Sequence, residues 1–135
     1  DDVCSFQWTA NDHQLQCSPL ICYDLRFPEL FRKAVVSGAQ LFVLGANWPR
    51  PRQHHWRALL IARAIENQAY VLGVNQCGHH TENRQTYGHS LCYSPWGGLV
   101  GELPEEPGIL TVTIGPEELE MCRKKMPVLK HRRMV

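Results

Sequence analysis

No charge of either sign dominates this sequence, no apolar run is long enough to cross a membrane, and no pair of cysteines has zinc-ligand spacing. The net charge is +1 over 135 residues, so nothing argues for nucleic acid or an anionic membrane as a partner. The apolar stretches fall far short of the ~20 residues that a spanning helix needs. No secretory signal pattern opens the chain. The six cysteines (Cys4, Cys17, Cys22, Cys77, Cys92 and Cys122) form neither a C-x-x-C pattern nor a dense disulfide framework. They read as reduced thiols of a cytoplasmic protein, and a Cys4–Cys17 disulfide is not expected. Internal repeats and low-complexity segments are also missing.

What is present suits one domain with a true core, since hydrophobic residues make up 44% of the chain. The basic runs Arg123-Lys124-Lys125 and Lys130-His131-Arg132-Arg133 read as a solvated helix end and tail, where cations are favourable. The chain starts at Asp1, without Met, and passes at once into strand-like sequence. That start is expected of a cut through a larger domain.

The pattern along the chain is that of an α/β protein. Val3–Thr9 and Gln14–Cys17 read as strands around a turn at Asn11-Asp12-His13, and a strand over Leu20–Cys22 follows. Glu29–Ser37 has helical spacing and Gly38 as its stop. Leu41–Leu44 is a short, wholly apolar strand of the kind covered on both faces. Two prolines make Gly45–Pro51 a loop. Gln53–Gln68 is the longest helix, with Trp56, Leu59, Leu60, Arg63 and Asn67 on one side. Tyr70–Asn75 is again a strand. This β-α-β-α-β run implies parallel strands joined by right-handed crossovers. Beyond it, the polar Gly78–Tyr87 reads as a loop. His89–Tyr93 and Leu99–Glu102 read as a hairpin, Ile109–Ile114 as a strand, and Pro116–Lys125 as a last helix.

Open parallel sheets form sites beyond the C-terminal ends of their strands. Cys22–Arg26, Gly45–Pro49 and Asn75–Gly78 occupy such ends. Cys22 falls where a strand gives way to a helix, with Asp24 as a helix cap and Pro28 in the first turn. Such a bend exposes a side chain and aims free N–H groups at it, which favours a thiolate nucleophile. A buried strand-end thiol is the other reading. The N–H of Tyr23 is the natural oxyanion donor. Arg26 could grip a substrate carboxylate through its planar fork, or pair with Asp24 or Glu29. Asn47 and Trp48 could line a pocket, and Trp48 could equally be a packing anchor. His54, His55, His79, His80 and His89, with Cys77, tempt a metal reading. Adjacent histidines point apart and no second cluster matches, so they read as surface or loop residues, and no metal or cofactor is expected.

Three segments, ICYDLRFPEL, ANWPRPRQHHWRALLIARAIENQAYVLGVN and YGHSLCYSPWGGLVGEL, resemble the C-terminal half of the nitrilase superfamily of carbon–nitrogen hydrolases, in its omega-amidase-like branch. The resemblance implies half of an α-β-β-α sandwich: a mixed sheet with helices on one face, residues 1–135 forming a partial domain. It implies subunits paired into larger assemblies, and a Cys nucleophile working with a Glu base, a Lys and a supporting Glu. Only the nucleophile maps here, onto Cys22, with Tyr23 as oxyanion donor and Arg26 in the pocket. The Glu and Lys belong to the half before the Cys. Glu66, Glu29 and Lys33 are poor substitutes, since none is expected at a strand end facing Cys22. The expected substrate is a small carboxylate-bearing amide such as a 2-oxo acid amide; an N-carbamoyl compound or a catalytically incomplete binding module are the alternatives. The expected partner is a complementary N-terminal half or a second copy.

Overall fold

The computed structural model describes residues 3–134; Asp1, Asp2 and Val135 lie outside the described residues. Its frame is a mixed sheet whose strands lie side by side in the order Phe6–Ala10 (β1), His13–Ile21 (β2), Leu41–Ala46 (β3), Tyr70–Asn75 (β4), Leu91–Tyr93 (β7) and Leu99–Glu102 (β8). β1 (Phe6–Ala10) and β2 (His13–Ile21) form a tight hairpin. Asn11 and Asp12 both take positive φ at its tip, as a two-residue primed turn requires. β2, β3 (Leu41–Ala46) and β4 (Tyr70–Asn75) run parallel, and β7 (Leu91–Tyr93) and β8 (Leu99–Glu102) complete the sheet antiparallel. Among the described residues no helix is long and apolar enough to cross a membrane.

The two-sided apolar character of β3 follows from strand alternation. Phe42 and Leu44 face one side, against Phe31, Ala34 and Val35 of α1 (Pro28–Val36) and Trp56, Leu60 and Ala64 of α2 (Gln53–Asn67). Leu41 faces the other side with Leu15, Cys17 and Tyr70, covered by Leu119 of α3 (Pro116–Lys125). Helices on one face therefore describes α1 and α2, while α3 lies across the opposite face. Further along that face, Ile21–Gly45–Val74 is the last row shared by all three parallel strands. Ile21 is 72% exposed and Val74 50%, so the sheet is open there.

Several expectations change. The separate strands at 14–17 and 20–22 are one strand, β2; Pro19 is tolerated because the pairing with β1 ends at Cys17 and leaves this stretch paired on one side only. Gly45 and Ala46 extend β3 rather than opening the loop. The stretch 78–87 is not a loop but a hairpin of β5 (Cys77–Thr81) and β6 (Arg84–Tyr87), a small sheet of its own. His79 and His80 are thus strand residues. No strand forms at 109–114. That segment lies against Gly101 of β8 through Leu110 and Val112, in side-chain contact without ladder hydrogen bonds.

Candidate active site

The parallel strands end together, and the chain turns sharply after each. β2 ends at Ile21, and Cys22–Arg26 form one 3-10 turn before α1. Cys22 has φ +41°, the left-handed region that a residue with a Cβ enters at a cost of about 1–2 kcal/mol. The bend is held from several sides. The Asp24 carboxylate accepts the Ile21 N–H at 2.9 Å, so Asp24 locks the 3-10 turn instead of capping α1. Phe27 occupies the cap position of α1 and offers no side-chain bond. The wholly buried Leu25 presents its carbonyl to Arg63 of α2, whose Nε and Nη2 donate at 3.2 and 2.9 Å. Arg63 is itself 5% exposed and is balanced by Glu66 at 2.9 Å.

Half-buried Cys22 opens onto a cavity of about 430 Å³ that it shares with Tyr23, Arg26 and Trp48. Tyr23 is the second residue of the 3-10 turn, where helical N–H groups have no partner within the turn. Tyr23 is 66% exposed, and its ring packs edge-on to Phe27. The Arg26 guanidinium lies 4.8 Å over the Trp48 ring and 5.7 Å from Tyr23, with Nη1 3.3 Å from Nδ1 of His55. Ion pairing of Arg26 with Asp24 or Glu29 is not found among the described residues.

Trp48 is 2% exposed and stacks obliquely on Trp56, so its first role is that of an anchor. Its N–H donates to Asn75 Oδ1 at 2.7 Å, its indole N–H donates to the Arg52 carbonyl at 2.8 Å, and its carbonyl accepts the Tyr87 N–H at 2.9 Å. Asn75 in turn donates to the Gly88 carbonyl at 2.8 Å. The strand end of β4 thereby fixes the loop that supplies the cavity's wall. Asn47 does not reach this cavity. It points into a neighbouring one, because Trp48 turns inward and sends the preceding side chain to the other side of the loop.

No group of histidines, cysteines and carboxylates among the described residues could hold a metal ion. All six cysteines are free, and burial pushes the Cys17, Cys92 and Cys122 thiols up, Cys92 to about 11. Glu66 pairs with Arg63 and, at 4.0 Å, with Arg32, about three helical turns along α2 from His55, and does not line the cavity.

Residues 7–124 match the carbon-nitrogen hydrolase family model. The chain belongs to the carbon-nitrogen hydrolase family. A deaminated glutathione amidase of Synechocystis is 45% identical over 113 residues, 83% of this chain and 42% of that protein. A 2-oxoglutaramate amidase of Bacillus subtilis is 45% identical over 114 residues, 84% of this chain and 44% of that protein. A solved structure of a mutant amidase from Nesterenkonia superposes with a TM-score of 0.76 at 30% identity, covering 97% of this chain and 47% of that one. That structure shows covalent addition of the acetamide moiety of fluoroacetamide at the active-site cysteine of that enzyme. The chain spans under half the length of the curated relatives it matches.

The structure brings Cys22, Tyr23, Arg26 and Trp48, all named from the strand ends, to one cavity, and adds Arg52 and His55, which strand ends do not point to; Arg63 stands behind the bend. Arg52 and His55 line the cavity from the 3-10 turn at Arg50–Arg52 and the first turn of α2. His55 is half-buried at a helix start rather than a loop histidine. Burial, with His54, Arg26 and Arg52 nearby, holds it below the ordinary imidazole range. The signal for Arg63 was its place among the apolar positions of α2, where a cation must find a carbonyl or carboxylate.

Proposed function

We propose that this chain carries the nucleophile of an amide-hydrolysing carbon-nitrogen hydrolase. Cys22 is the nucleophile and the Tyr23 N–H an oxyanion donor. Arg26 takes the carboxylate of a small substrate, of the class in which a 2-oxo acid amide gives a 2-oxo acid and ammonia. The reading is carried by one observation: a half-buried thiol held at a left-handed strand-end bend, opening onto a cavity with an Arg26 guanidinium that has no carboxylate partner among the described residues. Strained backbone of this kind persists where a site demands it. The names of the relatives favour amide hydrolysis over N-carbamoyl chemistry, and the cysteine adduct in the Nesterenkonia amidase favours a thiol nucleophile.

The chemistry is acyl transfer. The Cys22 sulfur adds to the amide carbon, and the carbonyl electrons move to oxygen, where backbone N–H groups receive the charge. The C–N bond breaks as nitrogen takes a proton and leaves. Water then adds to the thioester, and the C–S bond breaks to return the thiolate. Proton transfer needs a general base. The residues that line the cavity include no Asp, Glu or Lys. That base and a cation for the intermediate come, on this reading, from a complementary segment of chain. The exposed Ile21 and Val74 at the open end of the sheet give that segment an apolar seat.

A cysteine-directed haloacetamide tests the reading on the full-length protein. Cys22 should label well ahead of exposed Cys4, block turnover of a 2-oxo acid amide, and be protected by that amide. Labelling no faster than Cys4 favours the inert binding module and overturns the proposal. The 135-residue chain alone should show almost no turnover.

A further inference from the structure

Four polar side chains that do not line the Cys22 cavity gather beside α2: Arg57, Tyr87, His89 and Glu102. Arg57 donates from Nε to the Tyr87 hydroxyl at 2.8 Å and from Nη1 to Glu102 Oε2 at 3.0 Å, and its Nη2 reaches Glu102 Oε1. A carboxylate only accepts, so the His89 Nδ1–H donates to that same Oε1, at 2.6 Å. One guanidinium and one carboxylate thus tie α2 to the end of β6, to His89 and to the end of β8. Partial burial raises the Glu102 carboxyl, but Arg57 and His89 outweigh it and hold it below the ordinary carboxylate range.

Tyr87 and His89 bracket a corner. Their rings stack at 4.2 Å, and the backbone between them passes through Gly88 at φ +66° and His89 at φ +52°. Two left-handed residues in a row turn the chain sharply. A Cβ on Gly88 would come within 2.9 Å of the Glu105 Cα, so the corner has no room for a side chain there. Three consecutive residues then hold three inner partners. The Tyr87 N–H donates to the Trp48 carbonyl at 2.9 Å, the Gly88 carbonyl accepts from Asn75 Nδ2 at 2.8 Å, and the His89 carbonyl accepts the Trp56 indole N–H at 3.0 Å. Asn75 passes the hold on, since it accepts the Trp48 N–H. Trp48 and Trp56, both buried and with ring centroids 5.6 Å apart, therefore hang on the 87–89 corner. The Arg26 guanidinium lies over the Trp48 ring. A strained residue such as His89 persists only where its surroundings fix it.

Resting on the assignment of Arg26 to the substrate carboxylate, we propose that Arg57 and Glu102 are positioning residues of the site. They hold the 87–89 corner, the corner sets the two indoles, and the Trp48 ring sets where the Arg26 guanidinium lies. Neither touches the substrate. The Arg57 side chain is 38% exposed, and ion pairs open to solvent contribute little to stability. The value of the fork lies in its geometry, in which one planar group fixes Tyr87 and Glu102 together. A guanidinium–carboxylate bond is directional, so a displaced Arg26 weakens binding of the substrate more than it slows the chemistry.

The test uses the full-length protein, in which the indole 15N–H signals are assigned through Trp48→Phe and Trp56→Phe. Arg57→Met should move both signals and leave that of Trp8, on β1, in place. In Cys22→Ala, calorimetry with a primary 2-oxo acid amide that bears a carboxylate should show binding weakened about ten-fold by Arg57→Met. Arg57→Met and Glu102→Gln together should cost no more, because the two act as one unit. In the active protein the same loss should appear in KM, with kcat changed less than about two-fold. Arg57→Lys keeps the ion pair and gives up the bond to Tyr87; it should fall between, and it takes the place of Arg57→Met if that variant does not fold. Unmoved indole signals overturn the proposal. So does binding to Cys22→Ala that Arg57→Met leaves unchanged, or a loss that falls on kcat with KM level. If the indoles move while Cys22→Ala binds no such amide even with Arg57 in place, the hold of the corner on the tryptophans stands, and the assignment of Arg26 is what fails.

Discussion

Arg26 and His55 meet at the wall of the Cys22 cavity, Nη1 to Nδ1 at 3.3 Å, with the guanidinium 4.8 Å over the Trp48 ring. Arginine has no acceptor, so His55 must offer a lone pair, and only a neutral imidazole has one. Burial and the cations around it hold His55 below the ordinary imidazole range, which keeps it neutral near pH 7. As pH falls through that lowered value, His55 gains a proton and repels Arg26. On the proposed reading, KM for a carboxylate-bearing amide should rise on the acid side while kcat changes less. In His55→Gln, whose amide oxygen accepts without titrating, this acid rise in KM should vanish. A profile in which kcat falls and KM stays level would count against the positioning role.

Arg63 ties α2 to the bend behind Cys22 through two bonds to the Leu25 carbonyl. Arg63→Met keeps much of the side-chain length and leaves that buried carbonyl without a donor. Hydrogen bonds to charged groups contribute about 1.5–3 kcal/mol, and a loss of that size is expected in urea unfolding. The bend should loosen with it. Haloacetamide labelling of Cys22 should slow relative to Cys4, an effect that stability loss away from the site does not produce.

Glycines at the strand ends should separate packing from backbone freedom. A Cβ on Gly73 of β4 would come within 2.8 Å of both Leu60 Cδ1 and Trp56 Cζ2. Gly73→Ala is therefore overpacked against α2 and should cost about 1–3 kcal/mol. A Cβ on Gly45 of β3 meets nothing within 4 Å. Gly45→Ala should leave the thermal midpoint of this chain nearly unmoved. In the full-length protein the same substitution should become costly if a complementary segment covers the Ile21–Gly45–Val74 row.

These contrasts show where sequence carries information. The apolar runs of β3 and β4 were legible because both of their faces are buried, and so were the strand ends that carry Cys22 and Trp48. The hairpin β5–β6 was not, because Cys77–Thr81 and Arg84–Tyr87 present histidine, threonine and glutamine to solvent and lack the alternation that marks a half-buried strand. The reverse error arose at 109–114, where apolar spacing serves contact with Gly101 and not a ladder. Within the site, residues at the ends of strands could be placed from spacing alone. Arg52 and His55 reach the cavity only because the 3-10 turn at 50–52 swings the start of α2 toward Cys22, a matter of tertiary direction that local pattern does not encode. Asn47 lines the neighbouring cavity instead, since the inward turn of Trp48 decides which cavity its neighbour enters.

The positive φ of Cys22 makes a last prediction about stability and reactivity together. A residue with a Cβ pays for the left-handed region, and glycine does not. Cys22→Ala removes the sulfur and keeps the strain; Cys22→Gly removes both. If the bend is imposed by Asp24, Arg63 and the strand pairing, Cys22→Gly should be more stable than Cys22→Ala by about 1 kcal/mol, read as a higher urea midpoint at unchanged slope. Both should be inert toward a 2-oxo acid amide in the full-length protein. A site that holds its nucleophile in a conformation the backbone resists gains stability when it is disabled, which is the trade expected of function and not of packing. Equal stability of the two variants would mean that the bend relaxes once the thiol is gone, and that Cys22 itself, through its contacts, holds the chain in that shape.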